Sequence, residues 1–465
     1  MSENVGDTVG WREIVAPGYR APLIAACLGV WLHAADGLLV STMTPAIVAD
    51  IGGLALVPWT FALYEMGTIV VGAAGGLLSM RYGIRLPMAF AGALFTLGCA
   101  VSALAPTMEV LLLGRVFQGL GGGGLMAFSF VLAAVRFPPR LVPRVMAAIS
   151  TIWGVSAFTG PLIGGIFVEF AHWRGGFWFF ALQASILAAW IFLQRDEGDA
   201  PRSDQVEHFP LRRLAWLCAG VLLIAYAGID VAPLGTTLFV LLGIACLVLF
   251  VWLDSRHEQS RLLPPSPISF FNPVGAAIVM IMCFAAATTA VTIYVPLLIT
   301  SLHGVSVLVA GYVIALESIA WTVAALLVSG QPPERDRMFI LTGMSIITIG
   351  TAGLIYAVPE GPIWLVAVFA AMVGFGFGTA WTFVLRLATE IAPKQETRRV
   401  SSALPTVHRL GFALGAAFVG IVANASGIDD PGKLKFTAAM IFMASLPLAL
   451  VGLFAATRFV RGAAA

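Results

Sequence analysis

Long apolar runs alternate with short polar breaks along the whole chain. Mostly apolar segments, each long enough for a helix across a hydrocarbon core of about 30 Å, fall near 22–48, 54–79, 86–105, 109–134, 145–171, 175–193, 213–231, 234–253, 273–300, 306–330, 338–357, 362–389, 400–425 and 435–458. No water reaches backbone groups inside a bilayer, so each run is read as a helix that satisfies its own N–H and C=O groups. The pattern predicts an all-α integral membrane protein with 14 transmembrane helices. One run departs from plain helix chemistry: Gly154 to Gly165 reads GVSAFTGPLIGG. Proline removes a backbone donor and glycine removes bulk, so a membrane helix carries Gly160, Pro161, Gly164 and Gly165 only where its neighbours compensate. A packing or bending role is expected there.

Composition agrees with the pattern. Hydrophobic residues make up 59% of the chain and charged residues 11%, with a mean hydropathy of +0.95, against roughly 25% charged residues in soluble domains. No basic stripe interleaved with aromatics points to nucleic acid. The cysteines Cys27, Cys99, Cys218, Cys246 and Cys283 all sit in apolar runs without a CxxC pair, so neither a disulfide framework nor a zinc site is expected. The first run is too long for a signal-peptide core and is expected to stay as the first span.

The basic residues orient the spans. Arg12, Arg20, Arg81, Arg85, Arg136, Arg140, Arg144, Arg195, Arg202, Arg212, Arg213, Arg256, Arg261, Arg335, Arg337, Lys394, Arg398, Arg399, Arg458 and Arg461 fall on one face, and Arg174, Lys433 and Lys435 on the other. The positive-inside rule predicts a multi-pass protein of the cell inner (cytoplasmic) membrane with both termini in the cytoplasm.

An internal repeat organises the spans. Shifted by 255 positions, Arg144-Val145 meets Arg399-Val400, Gly160 meets Gly415 and Gly165 meets Gly420; shifted by 253, Gly121 and Gly123 meet Gly374 and Gly376. The offset spans eight helices, which predicts two pseudo-symmetric six-helix bundles plus two extra central helices. The expected division is a cytoplasmic N-terminal segment 1–21, a bundle 22–193, a linker 194–212, the extra pair 213–253, a linker 254–272, a second bundle 273–458 and a tail 459–465. Asp230 is the only charge expected inside the extra pair. In the thirteenth span Ala416 stands where the fifth has Pro161, so only the first bundle is expected to hold a bendable helix.

This six-plus-two-plus-six order with its fifth-span signature resembles the major facilitator superfamily, and within it the fourteen-helix drug:proton antiporter branch. In the first span Asp36 and Pro45 bracket GLLVSTMT, as in that branch, with Ser41 for its usual asparagine. The loop after the second span matches the superfamily's GxLaDrxGrk at Gly76, Leu78, Arg81, Gly83 and Arg85, but Met80 replaces the aspartate. That aspartate helps hold the family's cytoplasmic gate shut, so its loss implies a rewired gate. Arg115, Gln118 and Gly119 match the family's fourth-span arginine motif, and Gly154, Gly160, Pro161, Gly164 and Gly165 its antiporter signature.

A mid-bilayer carboxylate costs roughly 2.5–3.5 kcal/mol on insertion scales and is kept when paired, wet or functional. Asp36 lies deep in the first span and is either a proton site or a static partner of Arg115. Glu65 and Glu317, each 11 residues from the outer ends of the second and tenth spans, are expected as symmetric wall residues that carry protons or attract cations. Arg115 cannot itself shuttle a proton. His33, one turn before Asp36, could hydrogen-bond it. His408 and Arg409 are candidate relay or ligand groups, Arg386 is expected to pair with Glu390 at i+4, and Tyr64, Trp153, Trp321 and Trp381 could stack on a planar or cationic ligand. The Gly121 to Gly124 run is expected to bring helices close.

No GxxxxGKS/T loop is present, so the leading expectation is secondary transport: proton-coupled antiport of small amphipathic, cationic or neutral compounds. It needs small-molecule substrate, protons and the lipid bilayer, no cofactor, metal or nucleic acid, no enzyme chemistry and no second copy of the chain. The rivals are transport of an anionic metabolite or siderophore-like compound on Arg115 and Arg409, and a non-transporting sensor or lipid-handling scaffold.

Overall fold

The computed structural model describes residues 11–194, 209–257 and 261–463; Arg195 and Arg202 of the first linker lie outside them. Among the described residues a short α1 (Trp11–Ile14) leads into α2 (Pro17–Ile51), α3 (Val57–Tyr82), α4 (Arg85–Ala103), α5 (Met108–Arg136), α6 (Val142–Phe170), α7 (Trp173–Leu193), α8 (Leu211–Tyr226), α9 (Pro233–Ser255), α10 (Pro273–His303), α11 (Val307–Leu327), α12 (Asp336–Ala357), α13 (Ile363–Ile391), α14 (Thr397–Ala425) and α15 (Leu434–Gly462). α2 to α15 follow the predicted apolar runs in order. Among the described residues, thirteen helices are long and apolar enough to cross a membrane. α8 falls short of the predicted 213–231 because Gly228 and Ile229 turn back onto the carbonyls of Ala225 and Tyr226. Asp230 therefore lies in the α8–α9 connection, not inside a span.

Glycines set the closest approaches. A side chain at Gly119 or Gly123 would strike the backbone of Tyr64 or Thr68 on α3, and one at Gly121 the backbone of Phe95 on α4. α5 thus receives two neighbours at backbone distance, as the glycine run led one to expect. In α13, Gly374 and Gly378 lie against the backbone of Glu317 and Trp321 on α11, while Gly376 meets Gly343 of α12. These contacts align Gly119, Gly121 and Gly123 with Gly374, Gly376 and Gly378, an offset of 255 and not 253. By the same contacts Glu317 stands where α3 has Tyr64, which corrects the expected equivalence of Glu317 with Glu65. One residue turns a helix by about 100°, enough to send the two glutamates into different surroundings.

The antiporter-like segment of α6 is a packing surface on two sides. Gly160 and Gly164 let α2 approach, with Cβ positions 3.0 Å from the Ala35 carbonyl and 3.1 Å from that of Leu39, and Gly165 and Pro161 meet Leu308 and Gly311 of α11. Gly154 is less crowded, with Thr322 of α11 as its nearest neighbour at 3.8 Å. α14 is not free of prolines, contrary to expectation: Pro405 lies inside it, a turn and more from its start. The proline is displaced along the helix from the position opposite Pro161.

The extra pair is fastened at both ends. Arg213 of α8 donates to Asp254 of α9 at 2.7 Å, both side chains being buried, and Asp254 also accepts from the backbone N–H groups of Leu262 and Leu263. Arg213 begins the predicted extra pair and Asp254 the linker after it, and nothing local links them, since they lie 41 positions apart. At the other end Gly228 packs on Ile421 of α14, and Asn424 of α14 donates to the carbonyls of Gly228 and Ala55. α8 therefore sits on the seam between α3 and α14, while α9 leaves most of its apolar surface outward.

Contacts between α2–α7 and α10–α15 gather on the side away from the termini. One apolar core joins α2–α7 to Ile293, Tyr294 and Leu298 of α10, Val313 and Ile314 of α11 and Val419 and Ala423 of α14. Ser41 donates to the carbonyl of Thr292, and Glu169 accepts from the N–H of Leu308. A second core belongs to α8–α15 and takes from the first helices Met66 and Ile69 of α3. Toward the termini, Ser150, Thr151 and Trp153 on α6 and Ser401, Ser402 and Pro405 on α14 are exposed.

Replacing Arg213 with methionine would leave the Asp254 carboxylate buried and unpaired. Arg213→Met is expected to lower stability by about 3–5 kcal/mol and Arg213→Lys by less, read as the unfolding midpoint of the purified protein in detergent.

Candidate functional site

The deepest polar group is an ion pair. Asp36 of α2 and Arg115 of α5 are both 0% exposed, and Arg115 Nη1 donates to Asp36 Oδ2 at 2.6 Å. Charges so far from water are tolerated when most of their remaining hydrogen-bond capacity is met; in this pair Arg115 Nη2 alone is buried without a hydrogen-bond partner. Arg115 Nε donates to the Thr60 carbonyl at 2.9 Å, and its Nη1 to Gln118 Oε1 at 2.9 Å. Gln118 Nε2 donates in turn to Asp36 Oδ1 at 3.3 Å and to Cys99 Sγ at 3.1 Å, while Ser102 donates to Gln118 Oε1. Arg115 and Gln118 are three residues apart on one helix face, which aims both at the same carboxylate.

The network continues toward the opposite set of helices. The guanidinium carbon of Arg115 lies 4.4 Å from the centroid of the Tyr64 ring, and Tyr64 Oη is 2.8 Å from His33 Nδ1. His33 Nε2 is 3.0 Å from Arg409 Nη2 of α14, and Arg409 Nη1 donates to Glu65 Oε2 at 2.9 Å. Met126 Sδ of α5 also accepts from Arg409. Trp153 of α6 meets the edge of the His33 ring and is 40% exposed. His33 therefore bonds Tyr64 and Arg409, not Asp36 as expected: α2 turns its imidazole toward α3 and α14 while the carboxylate faces α5.

A second cluster lies on α11, α13 and α14. Trp321 stacks on Phe377 at 5.1 Å between centroids, and Trp381, Phe377 and Phe412 surround the His408 ring at 5.2, 5.7 and 5.0 Å. His408 Nε2 is buried without a hydrogen-bond partner. Glu317, one turn before Trp321 on α11, has no cationic partner among the described residues. The predicted site residues thus divide in two: Asp36, Arg115, His33, Tyr64, Glu65, Arg409 and Trp153 in one network, and Glu317, Trp321, Trp381 and His408 in the other region.

The loop motif lies apart from both. Gly83 ends α3 at φ +76°, a conformation that suits glycine,. Arg85 donates to the carbonyls of Phe192 and Gln194 at the end of α7, Arg81 stacks on Tyr82, and Gly76 and Met80 are exposed. No acid can stand at Met80 to receive these cations. An acid–arginine bridge does occur at the α11–α12 connection, where Arg386 donates to Asp336 and to the Gln331 carbonyl. It corrects the expected Arg386–Glu390 pair, since α12 brings a closer carboxylate than the arginine's own helix.

Residues that reasoning from the sequence missed include Cys99, Ser102 and Met126. Cys99 and Ser102 share an i, i+3 face of α4 that meets Gln118, a signal the sequence did carry. Nothing local marks Arg409 for Glu65, 344 positions away.

Comparison with known proteins settles what this arrangement belongs to. The profile of the Major Facilitator Superfamily matches residues 26–416. The chain belongs to that superfamily. It is 26% identical over 466 residues to a "Probable multidrug-efflux transporter" of Mycobacterium tuberculosis, covering 98% of this chain and 97% of that one. It is 25% identical to the multidrug efflux pump SdrM of Staphylococcus aureus over 88% of this chain and 91% of that one. Its fold matches the POT family transporter PepTSo with a TM-score of 0.66 at 14% identity, over 97% of this chain and 99% of that one. A bacterial homologue of the lysosomal transporter Spinster matches at 0.65 and 14%, over 97% and 98%. The superfamily member described here is thus a multi-pass membrane transporter of small molecules, not an enzyme, whose relatives include multidrug efflux proteins.

Removing the guanidinium alone would strand a carboxylate at full burial. Arg115→Leu is expected to cost about 3–5 kcal/mol, and adding Asp36→Asn is expected to restore part of it, as measured by thermal unfolding of the single and double variants.

Proposed function

We propose that this transporter is a proton-coupled antiporter that exports small amphipathic compounds, cationic or neutral, across the inner membrane. In this reading its fourteen helices form two six-helix halves, 22–193 and 273–458, joined by the extra pair at 213–253, and the termini are cytoplasmic. A single copy suffices. The observation that carries the reading is the fully buried Asp36–Arg115 pair, linked by the Tyr64 ring on the Arg115 guanidinium and by the Tyr64–His33 and His33–Arg409 hydrogen bonds to Arg409 of the other half. A proton on Asp36 cancels the charge that Arg115 answers and turns one acceptor oxygen into a donor. The pair and its neighbours must then rearrange, which is what coupling a proton to a movement of halves requires.

The substrate charge is read from the carboxylates. Asp36 and Glu65 each hold an arginine, so neither is open to a ligand; Glu317, with no cationic partner among the described residues, is the embedded acid left for an incoming cation to pair with, beside the rings of Trp321, Trp381 and His408. A carboxylate next to stacked aromatic faces suits a planar organic cation. Glu65, expected as a substrate ligand, is better read as a partner of Arg409. The rival anionic substrate loses its ligands, because Arg115 and Arg409 are already matched to acids. The sensor or scaffold reading has nothing among the efflux relatives to favour it.

In proteoliposomes, added substrate is expected to collapse an imposed proton gradient, and Asp36→Asn to abolish that collapse; undiminished gradient-driven transport by Asp36→Asn would remove Asp36 from the mechanism. Glu317→Gln is expected to raise KM for cationic substrates about tenfold, a loss of roughly 1.4 kcal/mol, and to leave neutral substrates unchanged.

A further inference from the structure

The hydrogen-bond geometry around His33 admits one arrangement of protons. An arginine guanidinium can only donate, so His33 Nε2, 3.0 Å from Arg409 Nη2, must present its lone pair. The ring is then neutral with its proton on Nδ1, which donates to Tyr64 Oη at 2.8 Å. Tyr64 in turn uses its own hydrogen on the His33 carbonyl at 3.2 Å. Both ring nitrogens of His33 and the Tyr64 hydroxyl are satisfied within this triad, and the imidazole is buried, so no water is needed around the ring.

A second proton on this ring has one place to go, Nε2, and there it points at a guanidinium. We propose that His33 is a proton site distinct from Asp36, and that Arg409 is the coupling residue it acts on: protonation at Nε2 turns an acceptor into a donor facing Arg409 and breaks the link between α2 and α14. This extends the proton-coupled reading and rests on it. The groups facing His33 hold it neutral in this arrangement, so a proton is taken up only as Arg409 moves away. From α14 comes Arg409; from α3, Tyr64, with Glu65 behind Arg409; from α5, Arg115 across the Tyr64 ring, with Gly122 and Met126 uncharged; from α6, Trp153; and on its own helix, Asp36 one turn on, already held by Arg115. No carboxylate touches the imidazole to favour its charged form, so the charged ring and Arg409 repel.

The link is placed to transmit a movement. Arg409 reaches three partners on the opposite helices, His33 on α2, Glu65 on α3 and Met126 on α5, in a structure whose halves share an apolar core on the side away from the termini. Loss of the His33 contact leaves Arg409 with Glu65 alone as a strong partner, a bond that a pivot of α14 along α3 can keep. The two proton sites stand in series: Tyr64 has one face against Arg115 and its hydroxyl on His33, so a shift of Arg115 on protonation of Asp36 moves the phenol that orients the imidazole.

Two measurements test this on the full-length protein in lipid nanodiscs. Nitrogen-15 spectra of labelled histidine, with His33 assigned by difference from His33→Gln, are expected to show the neutral Nδ1–H tautomer; the Nε2–H tautomer overturns the proposal. Spin labels at exposed positions on α6 and α14, introduced as Ser150→Cys and Ser401→Cys, are expected to report an acid-driven change of distance that is reduced in His33→Gln and in Arg409→Gln and largely restored in Arg409→Lys. The same acid-driven change in His33→Gln as in the parent overturns it, and so does failure of Arg409→Lys to exceed Arg409→Gln. Arg409 variants keep the test open if His33→Gln does not fold. Failure of the antiport reading registers in the Asp36→Asn flux assay, whereas failure of this proposal registers in the tautomer and distances while the parent protein still collapses the proton gradient and Asp36→Asn does not.

Discussion

A carboxylate and a guanidinium shut away from water attract each other strongly, yet each has lost far more hydration than the attraction alone returns. Asp36 and Arg115 are held in that condition, and the first half of the molecule is arranged around making it tolerable. Gln118 sits one turn from Arg115 to fill the second carboxylate oxygen, Thr60 turns a carbonyl to Nε, and Tyr64 lays its ring on the guanidinium face. None of these groups could come so near if α5 carried side chains at Gly119, Gly121 or Gly123, because α3 and α4 would be pushed outward. The glycine run and the ion pair are one design: close backbones exclude water, and exclusion of water is what makes the protonation state of Asp36 matter to its neighbours.

Among the described residues, α10–α15 hold no fully buried ion pair of this kind. α13 repeats the glycine contacts of α5, but Ala370 stands at the position that the 255-residue offset sets opposite Arg115, and Glu317 takes the place of Tyr64. Its polar interior is a lone carboxylate and a histidine wrapped in aromatic rings. A similar backbone frame therefore holds two kinds of chemistry, a matched ion pair on one side and an unmatched acid among rings on the other. Arg409 crosses between them. It lies next to His408 in sequence yet spends its bonds on Glu65 and His33, so neighbouring residues of one helix serve opposite walls.

The extra helices gain a physical role from their attachments. α8 spans from the Arg213–Asp254 clasp, which also caps the segment leading into α10, to Asn424, which bonds α8's own end and the start of α3 together. α8 alone packs on the α3–α14 seam, and α9 is held to it through α8. The outward face of α9 is apolar, as a surface in contact with lipid should be.

Element order, the family and the identity of the buried charges were legible in the chain, because burial in a bilayer is written residue by residue: apolar runs of fixed length, rare charges within them, and glycines where helices must touch. The Gly160, Pro161 and Gly164 surface and the Asp36–Arg115 alternative could both be read this way. Partners could not, since a hydrogen bond between helices depends on the rotation of each about its axis, and a shift of one residue turns a side chain by about 100°. Hence the sequence offered Glu65 and Glu317 as equivalents, His33 as a neighbour of Asp36 and Glu390 as the mate of Arg386, while packing gave Glu65 to Arg409, His33 to Tyr64 and Arg386 to Asp336. Local spacing names which groups are buried; the mutual rotation of helices hundreds of residues apart chooses which of them meet.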